Sequence, residues 1–189
     1  MVWFTADTHF FHDNIRGFCK RPWIDVQTMN DALADNWNSV VGPSDEIYVI
    51  GDFIWPKGVA AQDVGRLLRK LHGAIHLIPG DHDMTEILNH IMPGKVRLHQ
   101  QIHSVHINEK ERIVLCHWPM RNWPTSHYNS IHLFGHVHNN CKPDVLYTYG
   151  RSFNVGIDVW DFKPVSLTQV MDNVKTLGDN PNYIKRLER

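Results

Sequence analysis

Cysteine is scarce: three of 189 residues, Cys19, Cys116 and Cys141, with no pair at C-x-x-C spacing. An odd, scattered set excludes a disulfide framework and fits reduced thiols in the cytoplasm. Long apolar runs are missing too. The longest reach four or five residues, whereas a membrane span needs about 20. Residues 1–7 show neither the basic stretch nor the apolar core of a secretion signal. No charge sign dominates, with 19 Lys+Arg against 20 Asp+Glu and a net charge of −1. Nothing advertises a polyanion-binding surface, and tight binding to duplex nucleic acid is unsupported. No repeat, low-complexity tract or Gly/Ser-rich linker divides the chain, so a single domain over 1–189 is expected.

What the chain has in excess is histidine, with 14 copies, and tryptophan, with seven. Their placement follows from the element pattern. Short β-branched runs at 2–6, 46–50, 74–78, 131–134 and 152–155 read as strands, and 102–107 with 112–116 reads as a hairpin around 108–111. Helical periodicity covers 26–41, through Val26, Met29, Leu33, Trp37 and Val40, and 59–71, through Val64, Leu67, Leu68 and Leu71. A last helix over 166–177 has Ser166 as its N-cap. Strand–helix alternation followed by strand-rich sequence predicts an α/β sandwich. Ligands of open α/β sheets bind beyond the carboxyl ends of the strands.

Those ends are where the unusual residues fall. Asp7 and His9 follow the first strand at i, i+2 spacing, which puts both side chains on one side of an extended backbone. Gly51-Asp52 follows the second strand and Gly80-Asp81-His82-Asp83 the third. His117 follows the strand ending at Cys116, and Gly135-His136-Val137-His138 follows 131–134. One such end is ordinary loop chemistry. Five together are poor packing material unless paired or metal-bound. Carboxylate plus imidazole without thiolate suits manganese, iron, zinc or cobalt, and about seven donors exceed one tetrahedral site, so two ions are the economical reading.

The ordered blocks D-x-H, G-D, G-x-H-D, H and G-H-x-H resemble the signature of the calcineurin-like metallophosphoesterase superfamily over 7–138. The flanks, with Arg21-Pro22-Trp23, Met29-Asn30 and Asn154-Val155-Gly156-Ile157-Asp158-Val159-Trp160, look like a small bacterial and phage branch. The resemblance implies a four-layer αββα sandwich of two packed mixed sheets flanked by helices. It also implies two divalent ions, manganese first, with iron, zinc, nickel, cobalt or magnesium as alternatives. By motif position, Asp7, His9 and His138 would hold one ion, Asp81, His117 and His136 the other, and Asp52 would bridge them. His82 would face the phosphoryl group, with Asp83 orienting it, and a hydroxide held by the ions would attack. The implied activity is a phosphoesterase acting on small nucleotide-like esters or nucleic-acid ends, diesters before monoesters.

One position departs from the pattern, since Asp81 stands where the superfamily has Asn. Three carboxylates, Asp7, Asp52 and Asp81, then face four positive charges, leaving the bare site at +1 instead of +2. This predicts a firmer grip on the second ion and a weaker pull on phosphate, with monoesters losing more than diesters. The sequence leaves open whether Asp81 coordinates or turns away. It also leaves open a weakened or inactive binding module of the same fold. His12, three residues after His9, His127, in a loop before the last motif, and Arg21 are candidate substrate contacts. Arg21 could equally be a surface residue against Trp23. His72, His76, His90, His99, His103 and His106 read as structural or exposed, and Cys116 as a small buried hydrophobe. Trp55, Trp118 and Trp123 fall in loop-like segments and are candidate stacking platforms or core plugs.

Overall fold

Burial is continuous along the central strands, with 47–50, 75–78, 113–116 and 131–134 all buried, so these strands are covered on both faces. The computed structural model describes residues 1–55, 57–86, 94–109, 111–139 and 149–185. His90, Cys141 and the last four residues lie outside them. One sheet contains β1 (Val2–Thr5), β2 (Glu46–Ile50), β3 (Ala74–Ile78), β4 (Val96–Leu98) and β9 (Val165–Ser166), in the order β4-β3-β2-β1-β9. Its first four strands are parallel and β9 is antiparallel. The second sheet contains β5 (Ile102–His106), β6 (Arg112–Cys116), β7 (Ile131–Phe134) and β8 (Ser152–Asn154) in sequence order. There β5 pairs antiparallel and the rest parallel. The expected α/β sandwich of two packed mixed sheets with helices is the observed architecture.

Two apolar clusters hold the layers. Phe4, Tyr48, Ile50 and Ile78 of the first sheet meet Ile113, Leu115, Ile131, Leu133 and Phe153 of the second. The intervening residues Trp3, Ile47, Val49, Ile75 and Leu77 face the other way, into a cluster with α2 (Val26–Val40) and α3 (Ala61–Lys70). The N-cap Asp25 accepts from Thr28 N–H at 2.7 Å, and α2 then buries Met29, Leu33, Ala34 and Trp37 on one stripe. The last helix, α4 (Leu167–Val174), opens on a capping box between Ser166 and Gln169 and adds Val170 and Val174 to the cluster between the sheets. No helix among the described residues is long and apolar enough to cross a membrane.

The predicted strand bounds at 46–50, 74–78, 112–116 and 131–134 coincide with the observed ones. Ends elsewhere differ by one to three residues. Ala6 leaves β1 to bridge Gly156, and α4 stops at Val174. The pattern missed α1 (Ile15–Phe18), β4 and β9, which are too short to show a period.

Candidate metal centre

Because β1, β2 and β3 run parallel, as do β6 and β7, their carboxyl ends open at one end of the sandwich. The ladder continues beyond the strands, with Asp7 N–H donating to Gly51 O at 3.0 Å and His9 N–H to Asp52 O at 2.9 Å. Gly135 N–H likewise donates to His117 O at 3.0 Å. Five of the seven expected ligands sit in left-handed backbone: Asp7 (φ 57), His9 (φ 49), Asp52 (φ 54), His136 (φ 72) and His138 (φ 50). Such conformations cost about 1–3 kcal/mol each and persist where surrounding structure demands them. Gly51 shows why the approach is so close, because a Cβ there would lie 2.3 Å from His117 Nδ1.

The side chains converge on two donor sets. Asp7, His9 and His138 each offer an atom within 4.8 Å of the others, and so do Asp81, His117 and His136. Asp52 stands between them, its Oδ2 3.3 Å from His9 Nε2 and 3.5 Å from His117 Nε2. Both of these nitrogens are buried with no hydrogen-bond partner. The Nδ1–H of His117 donates to Ile50 O at 2.9 Å, so Nε2 is the nitrogen that faces the cluster and is free to ligate a cation once it is deprotonated. A buried imidazole nitrogen without a partner is costly unless a cation takes the lone pair. The carboxylate and imidazole donors therefore fit divalent ions. Asp81 does not turn away, since its Oδ2 lies 3.1 Å from His136 Nδ1.

Burial pushes His9 down to about 3 and lifts the Asp7 carboxyl to about 6, against the pull of His138 and His117. Burial also opposes charge on Asp52, but His117 and His9 outweigh it and hold this carboxyl well below the usual range. His117 is pulled down by burial and raised further by Asp52 and Asp7, ending at about 9. His138 ends at about 10 because the Asp158 carboxylate outweighs its burial. Without a cation, the cluster thus stores protons on His117 and His138.

Outer contacts fix the ligands. His138 Nδ1–H donates to Asp158 Oδ2 at 2.8 Å. Arg21 grips the same carboxylate with Nε and Nη2 at 2.7 and 2.9 Å. Its Nη1 and Nη2 also reach the carbonyls of Thr8 and Asp7 at 2.9 and 2.7 Å. Arg21 is therefore neither a substrate contact nor a surface residue against Trp23, because its guanidinium is fully buried and its fork is used up. Asp83 also differs from expectation. Its carboxylate does not orient the His82 ring but accepts from the N–H groups of Asp52, Phe53 and Gly80 at 2.8–2.9 Å. It joins the loops after β2 and β3, and burial pushes its carboxyl up.

His82 is half-exposed above the cluster, Nε2 3.9 Å from Asp52 Oδ2, with its backbone N–H bound to Asp52 Oδ1 at 3.0 Å. His12 lies beside it, its ring 6.4 Å from that of His82 and 5.3 Å from that of His9. His127 contacts the Tyr128 ring at 4.1 Å instead, and none of its described contacts reaches the cluster. Trp123 is a core plug, buried and bonded through Nε1 to Ser130. The sequence reading missed Asp158 as a partner of His138 and Arg21, although the flank 154–160 contained it. It also passed over His132, which is fully buried between Val114 O and Met120 N–H.

No family model matches the chain. An uncharacterized protein of Methanocaldococcus jannaschii is 31% identical over 172 residues, covering 90% of this chain and 89% of its own. The gene 66 protein of Mycobacterium phage L5 is 26% identical, covering 94% of this chain and 96% of its own. Its namesake in Mycobacterium phage D29 is 27% identical, covering 91% and 96%. A solved structure of a protein of unknown function from Aquifex aeolicus superposes with a TM-score of 0.68 at 22% identity, over 92% of this chain and 98% of that one. That likeness speaks to the fold alone.

Proposed function

The chain belongs to the family of the uncharacterized Methanocaldococcus jannaschii protein, whose name carries no activity, and we propose from the site itself that it is a dinuclear, divalent-cation-dependent phosphoesterase. The observation behind this reading is the pair of donor sets around Asp52, with the unpartnered Nε2 atoms of His9 and His117 turned toward it. The calcineurin-like metallophosphoesterase signature at the same residues supports it. Two divalent ions, manganese first, would be held by Asp7, His9 and His138 and by Asp81, His117 and His136 with Asp52 shared, and would supply Lewis acidity and acidify water.

The protein's own residues do the rest. Asp83 and Arg21 hold three ligand-bearing loops in strained but fixed positions, which is electrostatic preorganisation. His82, pinned through its backbone to Asp52, presents an imidazole at the open side, where it can steady phosphoryl charge or protonate the leaving oxygen. The anionic Asp81 trims the positive field and favours singly charged diesters over monoesters. Small phosphodiesters and nucleotide-like esters are the substrate class. A cytoplasmic setting belongs to the same reading, supported by the buried free thiols Cys19 and Cys116.

The test is manganese-supported hydrolysis of bis(p-nitrophenyl) phosphate by this chain, Asp81→Asn and His82→Ala. Turnover by the first two with a loss of about 10²–10⁴-fold in His82→Ala is expected. Turnover by Asp81→Asn alone would mean an intact but silenced centre. No turnover by any of them with two ions bound would overturn the enzymatic reading in favour of a binding module.

A further inference from the structure

Trp55 is a half-buried loop residue that organises two imidazoles. His12 lies flat on its face, with ring centroids 4.4 Å apart and planes 13° from parallel. His82 meets its edge at 5.0 Å and 66°. The rings of His12 and His82 are 6.4 Å apart, and His12 is 5.3 Å from the ring of His9. Trp55 therefore sets His12 and His82 in one layer over the cluster.

Packing does not explain why position 12 is histidine. Its Nδ1 is buried with no hydrogen-bond partner, so the imidazole is desolvated there without return. A phenyl ring would stack on Trp55 equally well and bury no polar atom. With Nδ1 shut in, Nε2 is the nitrogen left to meet a ligand. The centre also needs such a donor. Asp81 removes one unit of positive charge relative to an amide, and Arg21 is committed to Asp158 and to backbone carbonyls. Phosphoryl oxygens must then find their donors among the imidazoles beside the cluster.

We propose that His12 is a second phosphoryl-facing residue, donating through Nε2 to a non-bridging oxygen of a phosphodiester or of inorganic phosphate, with Trp55 as the positioning residue that holds it beside His82. The proposal rests on the phosphoesterase reading for the identity of the ligand. It extends that reading by assigning oxygen recognition to two imidazoles held by one indole.

The experiment uses the full chain loaded with Mn²⁺ and compares it with His12→Phe, His12→Gln and Trp55→Phe. Three quantities are read: bound manganese, affinity for inorganic phosphate by calorimetry, and kcat and KM for bis(p-nitrophenyl) phosphate. His12→Phe is expected to keep its manganese and its melting temperature while phosphate affinity and kcat/KM fall about 10- to 100-fold, the worth of one charge-assisted hydrogen bond. His12→Gln, which keeps an N–H, should recover part of the phosphate affinity. Trp55→Phe should lose less than His12→Phe. Unchanged phosphate affinity and unchanged kcat/KM in His12→Phe would overturn the proposal while leaving the phosphoesterase reading intact. A parent chain that binds phosphate without turning over the ester, and loses that binding in His12→Phe, would sustain the proposal and sink the enzymatic reading. A parent chain that binds manganese but no phosphate overturns both.

Discussion

Asp83 shows how much one carboxylate can organise. Its Oδ2 accepts from Asp52 N–H and Gly80 N–H, and its Oδ1 from Phe53 N–H. Read as sequence, it sits beside His82 and invites the role of orienting that ring. The three-dimensional partners are backbone groups up to 31 residues away, which no local pattern announces. Asp83→Asn is the discriminating change. An amide keeps one oxygen for two of the donors but turns an NH₂ toward the third, leaving Phe53 N–H facing a donor. A loss of about 1–3 kcal/mol in unfolding free energy is expected, with weaker manganese retention because Asp52 shifts with its loop. Urea unfolding and metal content after dialysis would check it. A variant as stable as the parent but inactive would restore the catalytic role to Asp83. Arg21 teaches the same lesson, since its carboxylate partner lies 137 positions along the chain. By contrast, Asp7, His9, His136 and His138 were legible because Asp and His gathered at strand ends are a local signal, although the backbone there is left-handed and not extended as the i, i+2 spacing predicts, and His136 and His138 enter different donor sets.

At the level of elements, legibility tracked length and burial. Strands β2, β3, β6 and β7 are mostly β-branched or apolar runs that stop at Gly51, Pro79, His117 and Gly135, so both the runs and their ends are written locally. Strand β4 has three residues, two of them exposed, and β9 has two, so each exists only because a neighbouring strand is there to pair with. The helices divide the same way. Both α2 and α4 open on a side-chain cap, Asp25 and Ser166, but α2 buries five residues against two in the shorter α4, so the cap carries a larger share of α4. Leu33→Ala should cost about 2–5 kcal/mol, because Leu33 is fully buried between α2 and the first sheet. Ser166→Ala should cost only about 1 kcal/mol, the worth of an N-cap. Denaturant titrations of both variants should therefore differ in midpoint but not in slope. A Ser166→Ala change as severe as Leu33→Ala would mean that the capping box also fixes the register of β9 against β1.

Over the whole molecule, the histidines set opposing pH limits on the metal-free fold. His9 and His132 are driven down by burial, to about 3 and about 4, from an unfolded value of 6.5. Their contribution is complete above 6.5 and is lost as pH falls toward those values, because the unfolded chain takes up protons first. For His132 alone the swing is on the order of 3 kcal/mol. Asp7, lifted from 3.8 to about 6, runs the other way over a smaller interval. His117 and His138, raised to about 9 and about 10, stabilise fully below 6.5 and lose that stabilisation as pH rises through their folded values. His99, driven down to about 4, joins the acid limb, so melting temperature in chelator should peak somewhat above pH 6.5 and decline on both sides. Divalent ions change the alkaline limb. To coordinate through their ring nitrogens, His117 and His138 must give up the protons they store, so binding near neutrality should release about two protons per chain and tighten as pH rises. Stabilisation by Mn²⁺ over chelator should then be slight near pH 5 and large near pH 9, moving the optimum upward. Melting curves across that range, with and without Mn²⁺, test the arrangement as a whole. An equal metal-induced shift at both ends would mean that the ions sit elsewhere and that His117 and His138 keep their protons.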